Sequence, residues 1–521
     1  MSVGFSRRPT TRACARGPVR ALSASALALV LAACGGQAEP APTPSEPAPR
    51  APDLTRIDGP VLALLEGSAR VPVVILMRTQ VAPGPGGLGD FARENAGAAR
   101  SSLRSLVSER LKTAAYAEHA ELRALLDLSA ETETLWIVNA VVGDLLPDEV
   151  LAASASDLVR YIYLGDGSIR RDGPGQLRAT LSPPASRAAF SVGGRKVDWN
   201  LVDVGARRVW EDFGATGEGV VVAMLDWGIN YTHEDLRDNI WTNPGEIPSN
   251  GVDDDGNGYT DDYYGFDFGS GAAETWTTGT PHGTWTSGIV AGDGTGGTVT
   301  GVAPRARLMS LVPGSTVATL AAIQYAVVHG ADVINMSFSR PGLENVRGLW
   351  RLAADHATAA GVLLVSGAGN FRTRATVPEQ LRVPEDIPSV VAAGGVDQDL
   401  QVAPFSSMGP VSWSGVALYG DHATLVKPDV AGFPGPGYAL LDPSGSGYLD
   451  PNTSVRGNSF SGPHAAGVAA LVMSANPELP AWEVGRILQE TARDVAPAGR
   501  DNDTGEGLLD AYAAVREALG Q

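Results

Sequence analysis

Ser459 stands in RGNSFSGPHAAG, residues 456–467, a small polar cluster between glycines that runs straight into the apolar segment VAALVMSA. A serine hydroxyl is a poor nucleophile until an imidazole takes its proton, and the imidazole needs a carboxylate to fix its tautomer and stabilise its charge. Both exist upstream. Asp226 ends the apolar run in VVVAMLDWGIN, where an unpaired buried carboxylate is costly, so it needs a partner. His282, in PHGTWTSGIVAG, is the one histidine between Asp226 and Ser459 that stands in a glycine-framed turn before an apolar helix. His233 and His329 read as structural, and His356 and His422 lack the glycine framing. Alone, Ser459 is equally well explained as a helix cap; with Asp226 and His282 it reads as the nucleophile of an acyl transfer.

The elements that must position these groups follow from the apolar pattern. From about Asn200, short continuous apolar runs (VVVAMLDWG, ARLMSLV, VINMSFS, VLLVSGAG, SVVAAGG) alternate with helical segments such as LAAIQYAVVHG. Strands buried on both faces with helices between them imply an α/β fold, a doubly wound, mainly parallel sheet with helices on both faces. Sites in such sheets lie beyond the carboxyl ends of the strands, which brings Asp226, Ser337 and Asn370 to one rim. Residues 55–165 have a different pattern, with strands VPVVILM, TLWIVNAVVGDL and LVRYIYL, a long amphipathic helix, and a second helix opened by Pro147. They form a small α+β unit, with His119 expected on a solvated helix face. Residues 166–197 lack sustained periodicity and read as a linker before the main domain, 198–521.

At 521 residues and 44% hydrophobic content the chain can bury a large core, and 39 Lys plus Arg against 58 Asp plus Glu leave a net charge of −19. That balance excludes the basic footprint of a nucleic-acid binder. Residues 1–33 pair an arginine-bearing start with an apolar run, ALSASALALVLAA, too short to span a bilayer, and read as an export signal. The run ends in LAAC, which resembles a bacterial lipoprotein box, with lipid expected on Cys34 and anchorage to a bacterial membrane. Residues 34–54 form a Pro-rich extended spacer. The only other cysteine, Cys14, lies in the signal, so the mature chain has no intramolecular disulfide.

The order Asp226, His282, Ser459, in LDWGI, HGTWTSGIVAG and GNSFSGPHAAGVAAL, resembles the subtilisin-like serine proteases, whose chain order is Asp, His, Ser. INMSFS, VSGAGN, FSSMGP, KPDVAGFPG and the closing GEGLLDAYAAV extend the likeness from about Asn200 to the end. The resemblance implies a serine endopeptidase acting on protein or peptide substrates. It makes Asn370 the oxyanion donor and assigns Ser337, Phe338, Ser339, Gly367 and Ala368 to substrate binding. Gly457 is expected to make a sharp turn, Ser459 to start a helix whose dipole favours an oxyanion, and Pro463 to fall near the first turn. Residues 55–165 are similar to the inhibitor-like propeptides of the family, so the chain's own propeptide is an expected partner, cut off within 166–197; a permanent scaffold domain is the competing reading. Trp227, Trp285, Asn458 and the SFSR segment depart from the usual motifs without removing a catalytic group. A noncatalytic surface-binding lipoprotein is therefore the alternative.

The insert NGVDDDGNGYTDD spaces Asp253, Asp255, Asn257 and Asp261 like the front half of a calcium loop, with Gly258 after the third, but Tyr264 stands where the bidentate glutamate belongs. Calcium is the expected ion, since five aspartates this close otherwise repel and similar inserts in the family bind it; a solvated acidic turn competes.

Overall fold

The first apolar run, VPVVILM, becomes strand β1 (Val71–Met77) of a four-stranded antiparallel sheet. The others are β2 (Thr132–Leu135), β3 (Ala140–Leu145) and β4 (Val159–Leu164), in the order β2-β3-β1-β4. Helix α1 (Arg100–Leu126) buries Leu103, Val107, Leu111, Ala115, His119 and Leu122, a stripe of three- and four-residue spacings. His119 is thus buried rather than solvated: four residues after Ala115, it faces the sheet, where Nε2 meets the Thr132 hydroxyl at 2.8 Å and Nδ1 meets Thr134. Helix α2 (Pro147–Ala155) starts with its proline at the first position, where no N–H is needed.

The second sheet has seven strands: β5 (Val221–Leu225), β6 (Gly265–Asp267), β7 (Arg307–Val312), β8 (Val333–Met336), β9 (Leu363–Gly367), β10 (Val391–Gly395) and β11 (Val430–Gly432). They are parallel, in the order β11-β10-β9-β8-β5-β7-β6. Alternate residues face opposite layers. Ala223, Leu225, Ile334 and Met336 pack towards α4 (Thr316–Val328) and α5 (Arg347–Ala359), while Val222, Met224, Val333 and Val365 pack towards α3 (His282–Ala291) and α6 (Asn458–Ala475). Strand order reverses between β5 and β8. The register sets Leu225 opposite Met336 and Met336 opposite Ser366, so Asp226, Ser337 and Gly367 leave the sheet at one rim.

The small sheet packs on α4 and α5 of the large body, and its Trp136, Ile137 and Val138 share one apolar cluster with those helices. The polar groups at the contact are matched. Asp166 accepts the N–H groups of Thr316 and Val317 at the start of α4, and Ile137 N–H donates to Gln324. Buried His356 on α5 donates from Nδ1 to the Ile137 carbonyl and accepts the Ala82 N–H at Nε2.

This computed structural model describes residues 50–128, 131–171, 173–181, 190–276, 279–495 and 497–521, all within one unit, Arg50–Gln521. The signal 1–33, Cys34 and most of the spacer lie outside the described residues, as do 172 and 182–189 of the linker. No described helix is long and apolar enough to cross a membrane.

Candidate active site

Asp226 is fully buried at the end of β5 and its carboxylate is surrounded by donors. Oδ1 accepts from His282 Nδ1 at 2.7 Å and from the Trp227 N–H at 2.7 Å, and Oδ2 accepts the Thr286 hydroxyl at 2.9 Å. Because His282 opens α3 and Thr286 lies one turn on, the same helix supplies the imidazole and a clamp for its carboxylate. The bond from Nδ1 leaves Nε2 with the lone pair, the tautomer a general base needs. Burial lowers the proton affinity of His282, but the charge of Asp226 and its hydrogen bond outweigh that and hold the imidazole above its ordinary 6.5.

Ser459 is the second residue of α6, so its backbone N–H is among the unpaired donors of a helix start. Its hydroxyl donates to the Ser337 carbonyl at 3.3 Å rather than to His282, and the Ser337 hydroxyl donates back to the Ser459 carbonyl at 3.0 Å. Pro463 explains why that carbonyl is free. It lies within the helix as its sixth residue, further in than expected, and lacks the N–H that would bond four residues back. Gly457 does not make a tight turn, since its φ of 162° is extended backbone. A side chain there would meet the Asn370 amide nitrogen at 3.3 Å and displace it by a few tenths of an ångström, so the glycine leaves that amide its room. Asn370 Oδ1 accepts the Asn458 N–H at 2.8 Å, which leaves Nδ2 to donate. Asn458 itself ties the loop down, its amide donating to the Gly369 carbonyl and to Ser406.

Trp227, His282, Ser337, Phe338, Ser339, Gly367, Gly369, Asn370, Phe371 and Ser459 line one cavity of about 260 Å³. Trp227 meets the His282 ring edge-on at 5.2 Å between centroids. A serine hydroxyl, an imidazole oriented by a carboxylate, and residues carrying two N–H donors thus border a single space, groups of the types that acyl transfer uses.

The model of the subtilase family matches residues 217–507, more than half of the chain. The chain belongs to the subtilase family. Subtilisin DY of Bacillus licheniformis is 30% identical over 58% of this chain and 93% of its own length. A probable subtilase-type serine protease of Deinococcus radiodurans is 32% identical over 58% of this chain, and fervidolysin of Fervidobacterium pennivorans 29% identical over 62%. The matches span only 41% and 44% of those two longer relatives. The crystal structure of fervidolysin, a keratinolytic enzyme related to subtilisin, covers 91% of this chain and 64% of its own with a TM-score of 0.56 at 20% identity, a likeness of fold.

Within this subtilase, two sequence assignments need correction. Ala368, expected beside the substrate, is fully buried in the core, its N–H on the Ala393 carbonyl, because the β9 alternation turns it inward; Gly369 lines the cavity instead. In the acidic insert, Asp261 accepts the N–H groups of Asn250 and Gly251 and stands outside the converging carboxylates, and Asn257 accepts from Tyr259 while its amide bridges Asp255 and Asp262. The carboxylates that converge are Asp253, Asp255 and Glu246, one oxygen from each within 4.8 Å of the others. Glu246 lies before the aspartate-rich run and outside its spacing, so only the loop's closure reveals it. An all-oxygen set of this kind suits a hard cation. Thr286, Phe371 and the clamping role of Asn458 also lack a sequence signal of their own.

Proposed function

We propose that this chain is an exported serine endopeptidase that cleaves peptide bonds through an acyl-enzyme at Ser459 and is made as an autoprocessed precursor. The observation that carries the reading is the 2.7 Å bond from His282 to buried Asp226 in the same cavity as Ser459 and Asn370. Ser459 Oγ exchanges the Ser337 carbonyl for His282 Nε2, gives up its proton there and attacks the substrate carbonyl. Asp226 stabilises the imidazolium, and the oxyanion takes hydrogen bonds from the Ser459 N–H and Asn370 Nδ2, the latter of a kind worth ~2.7–4 kcal/mol in the transition state. Collapse breaks the C–N bond, His282 protonates the departing amine, and water repeats the sequence to release the acid.

The unit at 55–165 acts as the propeptide; its docking on α4 and α5 supports this, and residues 173–181 and 190–197, either side of 182–189, are both bonded to the large body. Lipid on Cys34 tethers the precursor to the membrane. Calcium held by Glu246, Asp253 and Asp255 stiffens the insert and takes no part in the chemistry.

One observation favours a noncatalytic binding protein: the Ser459 hydroxyl is engaged by Ser337 instead of His282. Catalytic hydrogen bonds often tighten only with substrate, which removes most of its force. The two readings separate in one experiment on the unit Arg50–Gln521 with calcium, wild type against Ser459→Ala, followed by intact mass. The protease reading expects the wild type to shorten by a cut between roughly residues 165 and 195 and to react with a fluorophosphonate, while the alanine variant does neither. Two uncut, unreactive proteins would establish the binding reading.

A further inference from the structure

The catalytic reading leaves one carboxyl beside the cavity unexplained. Glu385 is fully buried. Its Oε1 accepts the Ser339 hydroxyl at 2.6 Å and lies 3.0 Å from where a Cβ on Gly369 would stand, and both of those residues line the cavity. Its Oε2 has no hydrogen-bond partner. The charged neighbours are engaged elsewhere. Arg347 pairs with Asp386 at 2.8 Å, Arg340 donates to the Gly314 carbonyl, and Arg382 lies 3.6 Å over the Phe371 ring. A buried carboxyl with an idle oxygen and no cation is unfavourable for folding, and it lies directly behind Ser339, Gly369 and the Phe371 ring of the cavity wall.

We propose that Glu385 is a specificity-determining residue, selecting lysine or arginine on the acyl side of the scissile bond by pairing its carboxylate with the substrate's cation at the end of the cavity. The inference rests on the protease reading. A substrate cation supplies the missing countercharge to a carboxyl withdrawn from solvent, a charge-assisted pairing that an apolar side chain cannot make. Burial pushes the free carboxyl up to about 8, against the Ser339 hydrogen bond and the nearby N–H groups of Glu385 and Arg382, and with help from Asp386. In the empty cavity it is therefore largely protonated at pH 7 and loses that proton when the cation enters. For cationic substrates kcat/KM rises with pH through about 8, whereas for leucine substrates it follows His282 alone.

The test uses enzyme matured from the full-length chain, its active sites counted with a fluorophosphonate, and peptide amides differing only in Lys, Arg, Leu or Phe at the acyl position. Wild type is expected to favour Lys and Arg over Leu by about tenfold or more at pH 9, and by less at pH 6.5. Glu385→Gln keeps the size and the Ser339 contact, removes that preference, and leaves the leucine rate within about threefold. A wild type that prefers Leu or Phe at every pH overturns the inference without any variant, as does a Glu385→Gln profile identical to wild type. Labelled enzyme with the wrong preference refutes the role of Glu385 alone; absence of both labelling and hydrolysis removes the protease reading and this inference with it.

Discussion

His282 is the residue whose chemistry is most exposed to measurement, because two opposing effects set its proton affinity. Burial lowers it and Asp226, by charge and by a 2.7 Å bond, raises it further than burial lowers it. A general base works only when neutral, so kcat/KM on a leucine substrate should fall as pH drops through a midpoint above 6.5. Asp226→Asn removes the raising contribution and leaves burial. Its midpoint should move below the wild-type value, while kcat falls by about 10⁴ through the wrong tautomer. A pH-rate profile of both proteins decides it, and an unmoved midpoint would show that Asp226 does not govern the imidazole. Trp227 is a departure of a different sort: its type alone says nothing about the triad, yet it forms the cavity wall edge-on to His282.

At the scale of elements, the insert from Glu246 to Asp262 has no regular secondary structure and is held by hydrogen bonds within itself and to Asn243 and Tyr325. Glu246 accepts the N–H groups of Asp254, Asp255 and Asp261, so it closes the loop as well as joining Asp253 and Asp255. Calcium at about 100 times its Kd should stabilise the fold by about 2.7 kcal/mol, read as a rise in Tm that chelator reverses. Glu246→Gln keeps one of the two acceptor oxygens but loses the other and the charge, so it should abolish most of the calcium-dependent rise and lower the Tm in chelator by a smaller amount. A melting curve blind to calcium in the wild type would remove the ion from the account. Helix α6 shows a different case, a start legible in the apolar run after Ser459, whereas the place of Pro463 inside the helix, which frees the Ser459 carbonyl for Ser337, shows only in the structure.

For the whole molecule the decisive contact is between the two sheets through α4 and α5. His356 is its buried polar centre, tied to Ile137 and Ala82 of the small unit, and burial pushes it down to about 4, with Arg160 adding to the effect and the Ile137 bond opposing it. The folded value lies below the unfolded 6.5, so the neutral ring stabilises the assembled state above pH 6.5. As pH falls from 6.5 to 4 the unfolded chain takes up a proton that the folded chain refuses, a loss of about 3 kcal/mol. In a Ser459→Ala background, which keeps the chain uncut, denaturant midpoints at pH 7.5 and 4.5 should diverge more for wild type than for His356→Gln. Equal pH dependence would place the acid sensitivity elsewhere, for instance at His464, which burial also pushes down to about 4.

The local pattern of the chain was enough to expect five of the seven strands of the large sheet, their parallel arrangement and the rim, and to single out Asp226, His282 and Ser459 as candidates, because each of these depends on short-range sequence: an apolar run, a glycine frame, the start of a helix; the short strands β6 and β11 carry no such run. It was not enough for anything that depends on which side of a strand faces the cavity or on residues far apart in the chain. Ala368 turned inward and Gly369 outward because a strand alternates, and a shift of one residue changes the face. His119 was drawn into a helix stripe by the sheet packed against it. Glu246 met Asp253 and Asp255 only when the insert closed, and Glu385 came to lie behind Ser339 and Gly369 only when β8, β9 and the loop before β10 were assembled. Chemistry-bearing residue types are written in the chain; their partners, burial and countercharges are properties of packing, and tertiary structure alone sets them.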